Sequence, residues 1–188
     1  MIKVAIVGDT DVGKSSLVSR FVNRQKEPNV DHTVGVDVTT TTLHFHDTVH
    51  HAKFFDLTGT YGYESLYNQY LINASAIVVV FDVTKFKTFV RAQKLVDKIV
   101  HMHSVEYPII LVGNKMDKVA QRRVDISKAL GYVKGKANTF FIETSAKHGA
   151  NTKNCLMMLI SEARRNKTYR LPVPRVEEQD ESSGCILV

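Results

Sequence analysis

Eight residues near the amino end have the types and spacing needed to cradle a polyphosphate. Gly8-Asp9-Thr10-Asp11-Val12-Gly13-Lys14-Ser15 fits the pattern G-x-x-x-x-G-K-[ST]. Glycines let a backbone turn so that successive N–H groups face phosphate oxygens, and a following helix adds partial positive charge at its N-terminus. In such a loop Lys14 reaches the β- and γ-phosphates, the Ser15 hydroxyl holds Mg2+, and the amides of 11–16 (Asp11, Val12, Gly13, Lys14, Ser15, Ser16) line the cradle. The bland alternative is a glycine-bearing turn with an incidental lysine. The loop alone leaves ATP and GTP open, and with them kinases, motors and switches.

A second constellation addresses the base. Ile109 to Val112 is an aliphatic run that leads into Gly113-Asn114-Lys115-Met116-Asp117. The carboxyl end of a strand is where an open parallel sheet binds ligands. A carboxylate at Asp117 can accept bonds from both guanine N1–H and the exocyclic amine. Adenine presents no such donor pair, so it would leave the carboxylate unpaired. Asn114 can tie the base site to neighbouring loops, and the stem of Lys115 can lie along a purine face. Taken alone, this tetrapeptide could also be a polar turn.

Elements must hold these groups. Ile2 to Val7 reads as a buried strand running into Gly8, and Ser15 to Asn23 as a helix with Leu17, Val18, Phe21 and Val22 at helical spacing. Val36–Phe45 and Val49–Phe55 alternate apolar and polar residues, with Asp47-Thr48 between them as a hairpin connection. Ile77–Phe81 and Ile109–Val112 are buried-strand runs, and Phe140–Glu143 is a short strand. Phe89–Val100, Val124–Val133 and Asn154–Arg165 read as helices. Strands that alternate with helices after a hairpin predict an open, mostly parallel α/β sheet covered on both faces.

Bulk properties narrow the class. The 188 residues suit one domain. The longest aliphatic and aromatic run, Ile77–Phe81, is far too short to cross a bilayer. Two cysteines, Cys155 and Cys185, argue against a disulfide scaffold, and the opening MIKVAIVG has no apolar signal core. A cytosolic protein is expected, free or on a membrane surface. The net charge is +6. The stretch from Tyr169 holds two arginines and four acids, so residues 1–168 carry +8. These basic residues are scattered without aromatic interleaving, which points to a mixed solvated surface rather than nucleic-acid binding. From Leu171 the composition turns to Pro, Glu, Asp and Ser, that of a flexible tail.

Together the motifs resemble the Ras superfamily of small GTPases, over the chain up to about Thr168. Glu143-Thr144-Ser145-Ala146-Lys147 matches that family's second base-recognition loop, and Asp56-Leu57-Thr58-Gly59 its D-x-x-G. Thr33 stands 18 residues after Ser15, where the family has its second Mg2+-binding hydroxyl. The resemblance implies a three-layer P-loop NTPase G domain over 1–168, with a six-stranded sheet, an antiparallel edge hairpin and helices on both faces. It implies GTP or GDP with Mg2+ as ligands. Asp56 would meet Mg2+ through water, the Gly59 N–H would sense the γ-phosphate, and the Ala146 N–H would meet guanine O6 with Lys147 packed on the ring. It makes 26–37 and 60–71 the two switch segments, contacted by effectors, an exchange factor and an activating protein, in a monomer. Thr33-Val34-Gly35-Val36-Asp37 and Val80-Phe81-Asp82-Val83-Thr84 look like the Rab branch, with a Ras-like assignment second.

The chain departs from that pattern at three points. The glutamine that usually follows D-x-x-G is Thr60, whose side chain lacks the amide that orients the attacking water, so slow intrinsic hydrolysis is expected; alternatively, threonine is one tolerated choice. Asp11 replaces a common glycine, and its carboxylate is tolerable only if it points to solvent. Lys26 stands where an aromatic usually covers the base, which predicts faster nucleotide exchange. Tyr61, Tyr63, Tyr67 and Tyr70 offer either an effector surface or core rings. Residues 169–188 read as a tail ending Cys185-Ile186-Leu187-Val188, a C-a-a-X pattern that predicts prenylation of Cys185 and reversible attachment to the cytosolic face of a membrane. Cys155 is expected to pack on the sheet. His44, His46, His50 and His51 are expected to be polar edge residues, with metal binding the weaker option.

Two functions fit the sequence: a GTP/GDP switch in membrane traffic, and a nucleotide-bound scaffold with negligible hydrolysis. Asp117 and Ala146 disfavour an ATPase or kinase.

Overall fold

A computed structural model describes residues 1–22, 35–45, 48–59, 64–103 and 107–165, the side chains of 45, 64–67 and 103 apart. The elements run β1 (Ile2–Gly8), α1 (Lys14–Phe21), β2 (Val36–Phe45), β3 (Thr48–Leu57), α2 (Glu64–Ile72), β4 (Ala76–Asp82), α3 (Phe86–His103), β5 (Ile109–Asn114), a 3-10 turn (Val119–Gln121), α4 (Ile126–Val133), β6 (Thr139–Glu143) and α5 (Thr152–Arg165). One six-stranded sheet has the order β2-β3-β1-β4-β5-β6. Only β2–β3 is antiparallel; β1, β3, β4, β5 and β6 pair in parallel.

The strands in the middle read as continuous apolar runs because both their faces are covered. Every residue of β4 is buried. Its even positions Ala76, Val78 and Val80 join Leu17, Val18 and Phe21 of α1 and Cys155, Leu159 and Ile160 of α5. Its odd positions Ile77, Val79 and Phe81 join Phe89, Val96 and Ile99 of α3, Leu71 of α2 and Ala129 of α4. Alternation along one strand therefore seats α1 and α5 on one face and α2, α3 and α4 on the other. Each fully buried Val, Leu, Ile or Phe stabilises by roughly 1.5–3 kcal/mol. This keeps the strand ends, where the motifs lie, on a rigid support.

The six strands, the edge hairpin and both helical layers agree with the reading of the sequence. The bounds differ in instructive ways. Thr48 is the first residue of β3, paired with Phe45, so it belongs to the strand and not to the connection. Helix α3 starts at Phe86, three residues before Phe89, and Thr88 in its first turn accepts the Asp82 N–H and donates to the Lys85 carbonyl, which ties the helix start to the end of β4. Helix α2, Glu64–Ile72, is a helix that the sequence pattern does not announce. Its short polar sequence has little amphipathic pattern, and Leu71 holds it against the sheet. Cys155 packs in the core as expected, and burial pushes its thiol up to about 12. His50 corrects the edge-residue reading: it is 1% exposed and its Nε2 lies 2.8 Å from the Thr48 hydroxyl. Burial, with the Arg164 charge added, holds its imidazole below the usual range. Among the described residues no cluster of three or more His, Cys, Asp or Glu side chains is placed to hold a metal. His46 lies outside them. Among the described residues no helix is long and apolar enough to cross a membrane.

Candidate functional site

The phosphate-type loop joins β1 to α1. Asp11 has φ 59° and Gly13 φ 95°, so two left-handed turns lie within three residues, the kind of backbone that forms an anion-binding concavity. A side chain on Gly13 would stand 2.3 Å from Asn114 Nδ2. Aspartate tolerates the left-handed region better than most residues, which accounts for Asp11 where glycine is common. Asp11 is exposed, as its charge requires. Lys14 is buried, and its Nζ donates to the carbonyls of Gly8 (3.2 Å) and Asp9 (2.7 Å). Burial holds the ammonium below its ordinary value, while Asp56, Asp9 and Asp11 pull it back up.

Asp56, near the end of β3, is 2% exposed, and its Oδ1 has no hydrogen-bond partner among the described residues. Burial raises its pKa, against the Ser15 hydrogen bond and the Lys14 charge that lower it. An orphaned buried carboxylate oxygen beside a serine hydroxyl suits a hard divalent cation such as Mg2+. Gly59 sits against the phosphate loop so closely that a Cβ there would lie 2.4 Å from Thr10 N. The D-x-x-G glycine thus touches the loop backbone directly.

The base-type loops close on the phosphate loop through Asn114. Its Nδ2 donates to the Val12 carbonyl at 2.8 Å, and its Oδ1 accepts from the Ala146 N–H at 3.0 Å and the Thr144 hydroxyl at 3.2 Å. Asp117 Oδ1 accepts from the Ser145 hydroxyl at 2.6 Å; this bond leads the causes that hold its carboxyl below the usual range, with His148 and Lys147 assisting. Lys115, in a left-handed turn of its own (φ 67°), donates to the Asp11 carbonyl at 2.6 Å and pairs with Asp82 Oδ2 at 2.9 Å. Lys147 is exposed.

Three supporting residues lie outside the nucleotide-binding motifs. Asp82, 1% exposed at the end of β4, holds Lys115 and also accepts from Thr84 N–H and Oγ1. Burial raises its pKa, and the Lys115 and Thr84 bonds outweigh that to leave it below the ordinary value. Arg20 of α1 donates to the Ala146 carbonyl at 2.7 Å and the Lys147 carbonyl at 2.5 Å. Arg122 forms a two-bond fork with Glu143 at 2.6 and 2.9 Å. A buried acid ending the Val80-Phe81-Asp82 run was the only signal in the sequence for any of these. Arg20 and Arg122 look like ordinary surface charges in the chain.

The structure therefore brings together Asp11, Val12, Gly13, Lys14, Ser15, Asp56, Gly59, Asn114, Lys115, Asp117, Ser145 and Ala146 around one end of the sheet. Ser16 follows on α1. Tyr70 packs its ring 5.0 Å from that of Phe55 and lies half-buried against the core. Thr33, Thr60, Lys26, Tyr61, Tyr63, Cys185 and the Tyr67 side chain lie outside the described residues, as do 26–34 of the first switch segment and 60–63 of the second.

A mostly parallel sheet with helices on both faces and this loop after its first strand is the α/β fold of Ras-like P-loop GTPases. Residues 3–165 match the Ras family. The chain is 31% identical to "Ras-related protein RABA1f" of Arabidopsis thaliana over 162 residues, 86% of this chain and 74% of that protein. It is likewise 31% identical to "Ras-related protein RABA1g" of the same plant over 160 residues, 85% of this chain and 73% of that protein. The chain belongs to the Ras family of small GTPases, as a divergent, Rab-like member.

Proposed function

We propose that this protein is a guanine-nucleotide switch that binds GTP and GDP with Mg2+, hydrolyses GTP slowly by itself and recruits partners in vesicle and membrane traffic according to the nucleotide it holds. The observation that carries this reading is Asn114, whose side chain bonds the phosphate loop at Val12 and the base loop at Ala146, making one pocket of two motifs.

In that pocket Lys14 exchanges its carbonyl partners for β- and γ-phosphate oxygens, a stronger charge-assisted contact. The amides of 11–16 hold the α- and β-phosphates. Asp117, already oriented by Ser145, accepts from guanine N1–H and the amine. The Ala146 N–H shares itself between Asn114 and O6, with Lys115 and Lys147 along the ring faces. Ser15, Thr33 and Asp56 through water would hold Mg2+, which when bound neutralises charge on the phosphate oxygens. The Gly59 N–H meets the γ-phosphate, and the motif assigns Thr33 and Thr60 to the hydrolytic step. Thr60 lacks the amide that would orient the attacking water, which is the reason for the slow rate.

Residues 26–37 and 60–71 are the surfaces for effectors, exchange factor and activating protein. Residues 169–188 are the tail that a prenyl group on Cys185 ties to the cytosolic membrane face. A Cys185→Ser protein that still fractionates with membranes would refute the tether.

The deciding experiment identifies the nucleotide released from purified protein and times a single turnover. Guanine nucleotide, with slow hydrolysis that Thr60→Gln accelerates, is expected; ATP, or no purine nucleotide with Mg2+ present, refutes the reading. Thr60 also favours a second reading, a nucleotide-bound scaffold. It would be distinguished by partner binding that ignores whether GDP or GTP is bound.

A further inference from the structure

Asp9 lies in the phosphate loop but takes no part in the roles above, and its carboxylate is fully engaged. Oδ1 accepts the N–H of the next residue, Thr10, at 2.9 Å, holding the carboxylate over the first peptide of the loop. Oδ2 accepts Arg91 Nη1 of α3 at 2.5 Å. Its carbonyl accepts Lys14 Nζ at 2.7 Å. One residue thus joins the loop's first peptide, the loop's lysine and a helix from another part of the chain. The carboxylate is 9% exposed and the Arg91 side chain 50%.

The helix end of this tie is rigid. Arg91 stands one turn after Thr88, whose hydroxyl takes the Asp82 N–H at 3.0 Å and donates to the Lys85 carbonyl at 2.7 Å. Phe89 and Ala92, on either side of the row that carries Arg91, are buried at 3% and 2%. The packed turn fixes the backbone from which the Arg91 side chain projects toward the loop. The loop end reaches further than the pair itself. A Cβ on Gly59 would lie 2.4 Å from the Asp9 carbonyl carbon, so the Asp9 backbone also abuts the D-x-x-G segment.

We propose that Arg91 is a positioning residue for the phosphate loop: its ion pair with Asp9 sets the loop's first peptide and the seat of Lys14, and thereby slows nucleotide release. The proposal rests on the nucleotide-binding reading above. Most exposed ion pairs contribute little. This one differs in that its acid is shielded, uses both oxygens and belongs to the loop being positioned. A groove of about 410 Å3 between Asp9–Asp11 and Lys85–Arg91 runs along the pair. Solvent reaches the guanidinium there, so added salt weakens the tie.

The test compares wild type, Arg91→Gln, Arg91→Lys, Asp9→Asn and the double variant Asp9→Asn/Arg91→Gln. Release of a fluorescent GDP analogue into excess GDP is measured at low and high salt. Arg91→Gln is expected to release roughly 3- to 10-fold faster. Arg91→Lys should restore most of the wild-type rate, the double variant should be no faster than the single ones, and salt should speed release more in wild type than in Arg91→Gln. A wild-type rate in Arg91→Gln, or effects of the two single substitutions that simply multiply, overturns the proposal. Amide exchange of residues 9–14 in nucleotide-free protein gives a second measurement. It should quicken in Arg91→Gln while β4 and β5 amides are unchanged, and an unchanged loop overturns the positioning role. Wild type that retains no guanine nucleotide overturns the nucleotide reading instead, and loop exchange then decides the clamp alone.

Discussion

Replacing Asn114 with alanine should uncouple the two halves of the site, and the structure sets the size of the effect. The side chain is 2% exposed and makes three bonds, to the Val12 carbonyl, the Ala146 N–H and the Thr144 hydroxyl. Truncation leaves all three groups without that partner in a buried place. At about 1 kcal/mol for each net bond, the loss is about 3 kcal/mol, more if water does not reach the orphaned groups. For a domain of this size that is a fall of roughly 6–12 °C in Tm. The assay is thermal unfolding of nucleotide-free protein, so that ligand binding adds no stability of its own. Thr144→Val is the graded control, since it removes one of the three bonds and should cost about 1 kcal/mol. Guanine-nucleotide affinity should fall with Asn114→Ala well beyond the Thr144→Val effect, because only the former frees Val12 and Ala146 together. An Asn114→Ala loss no larger than that of Thr144→Val, or an unchanged nucleotide affinity, would refute the idea that this amide joins two loops into one pocket.

Three other outcomes follow from particular contacts. Gly13→Ala should abolish nucleotide retention, because the new Cβ would meet Asn114 Nδ2 at 2.3 Å on a left-handed backbone; binding at wild-type affinity would contradict the geometry. Asp117→Ala should erase the preference for GTP over ITP, which lacks the exocyclic amine. Competition binding measures this, and a retained preference would mean that another group reads the base. Asp82 has a folded pKa below its ordinary value of 3.8. Its charged form therefore stabilises the fold above the ordinary value, and that contribution is lost as pH falls through the lowered folded value. The stability gap between wild type and Asp82→Asn should shrink as denaturation is repeated from neutral pH down to about pH 3. A gap that is constant or widens would show that Lys115 and Thr84 do not hold the carboxylate in its charged form.

Much of this molecule is local physics, and local physics is written in the chain. The apolar runs at Ile2–Val7, Ile77–Phe81 and Ile109–Val112 could only be strands covered on both sides, and they are. Glycine at 13 and lysine at 14, between a strand and a helical pattern, announced a phosphate loop because that backbone needs residues of those types at that spacing. Cys155, on the apolar side of the last helical pattern, went where its periodicity pointed. Helix α2 was not legible because Leu71 and tertiary contact, rather than an apolar stripe, hold it in place. His50 lies inside because the alternation of β3 puts it on the same face as Ala52 and Phe54, and its polar side chain masks that phase in the sequence.

What the tertiary structure decided is which distant groups meet. Asn114 joins Val12 across 102 positions of sequence, Arg20 reaches Ala146 across 126, and Arg91 reaches Asp9 across 82. None of these separations has a period or a spacing rule, because each is set by strand order β3-β1-β4-β5-β6 bringing successive strand ends side by side. The chain determined the pieces of the site through backbone geometry and donor chemistry. Their convergence, and the ion pairs that hold them, arose only when the buried sheet aligned those ends.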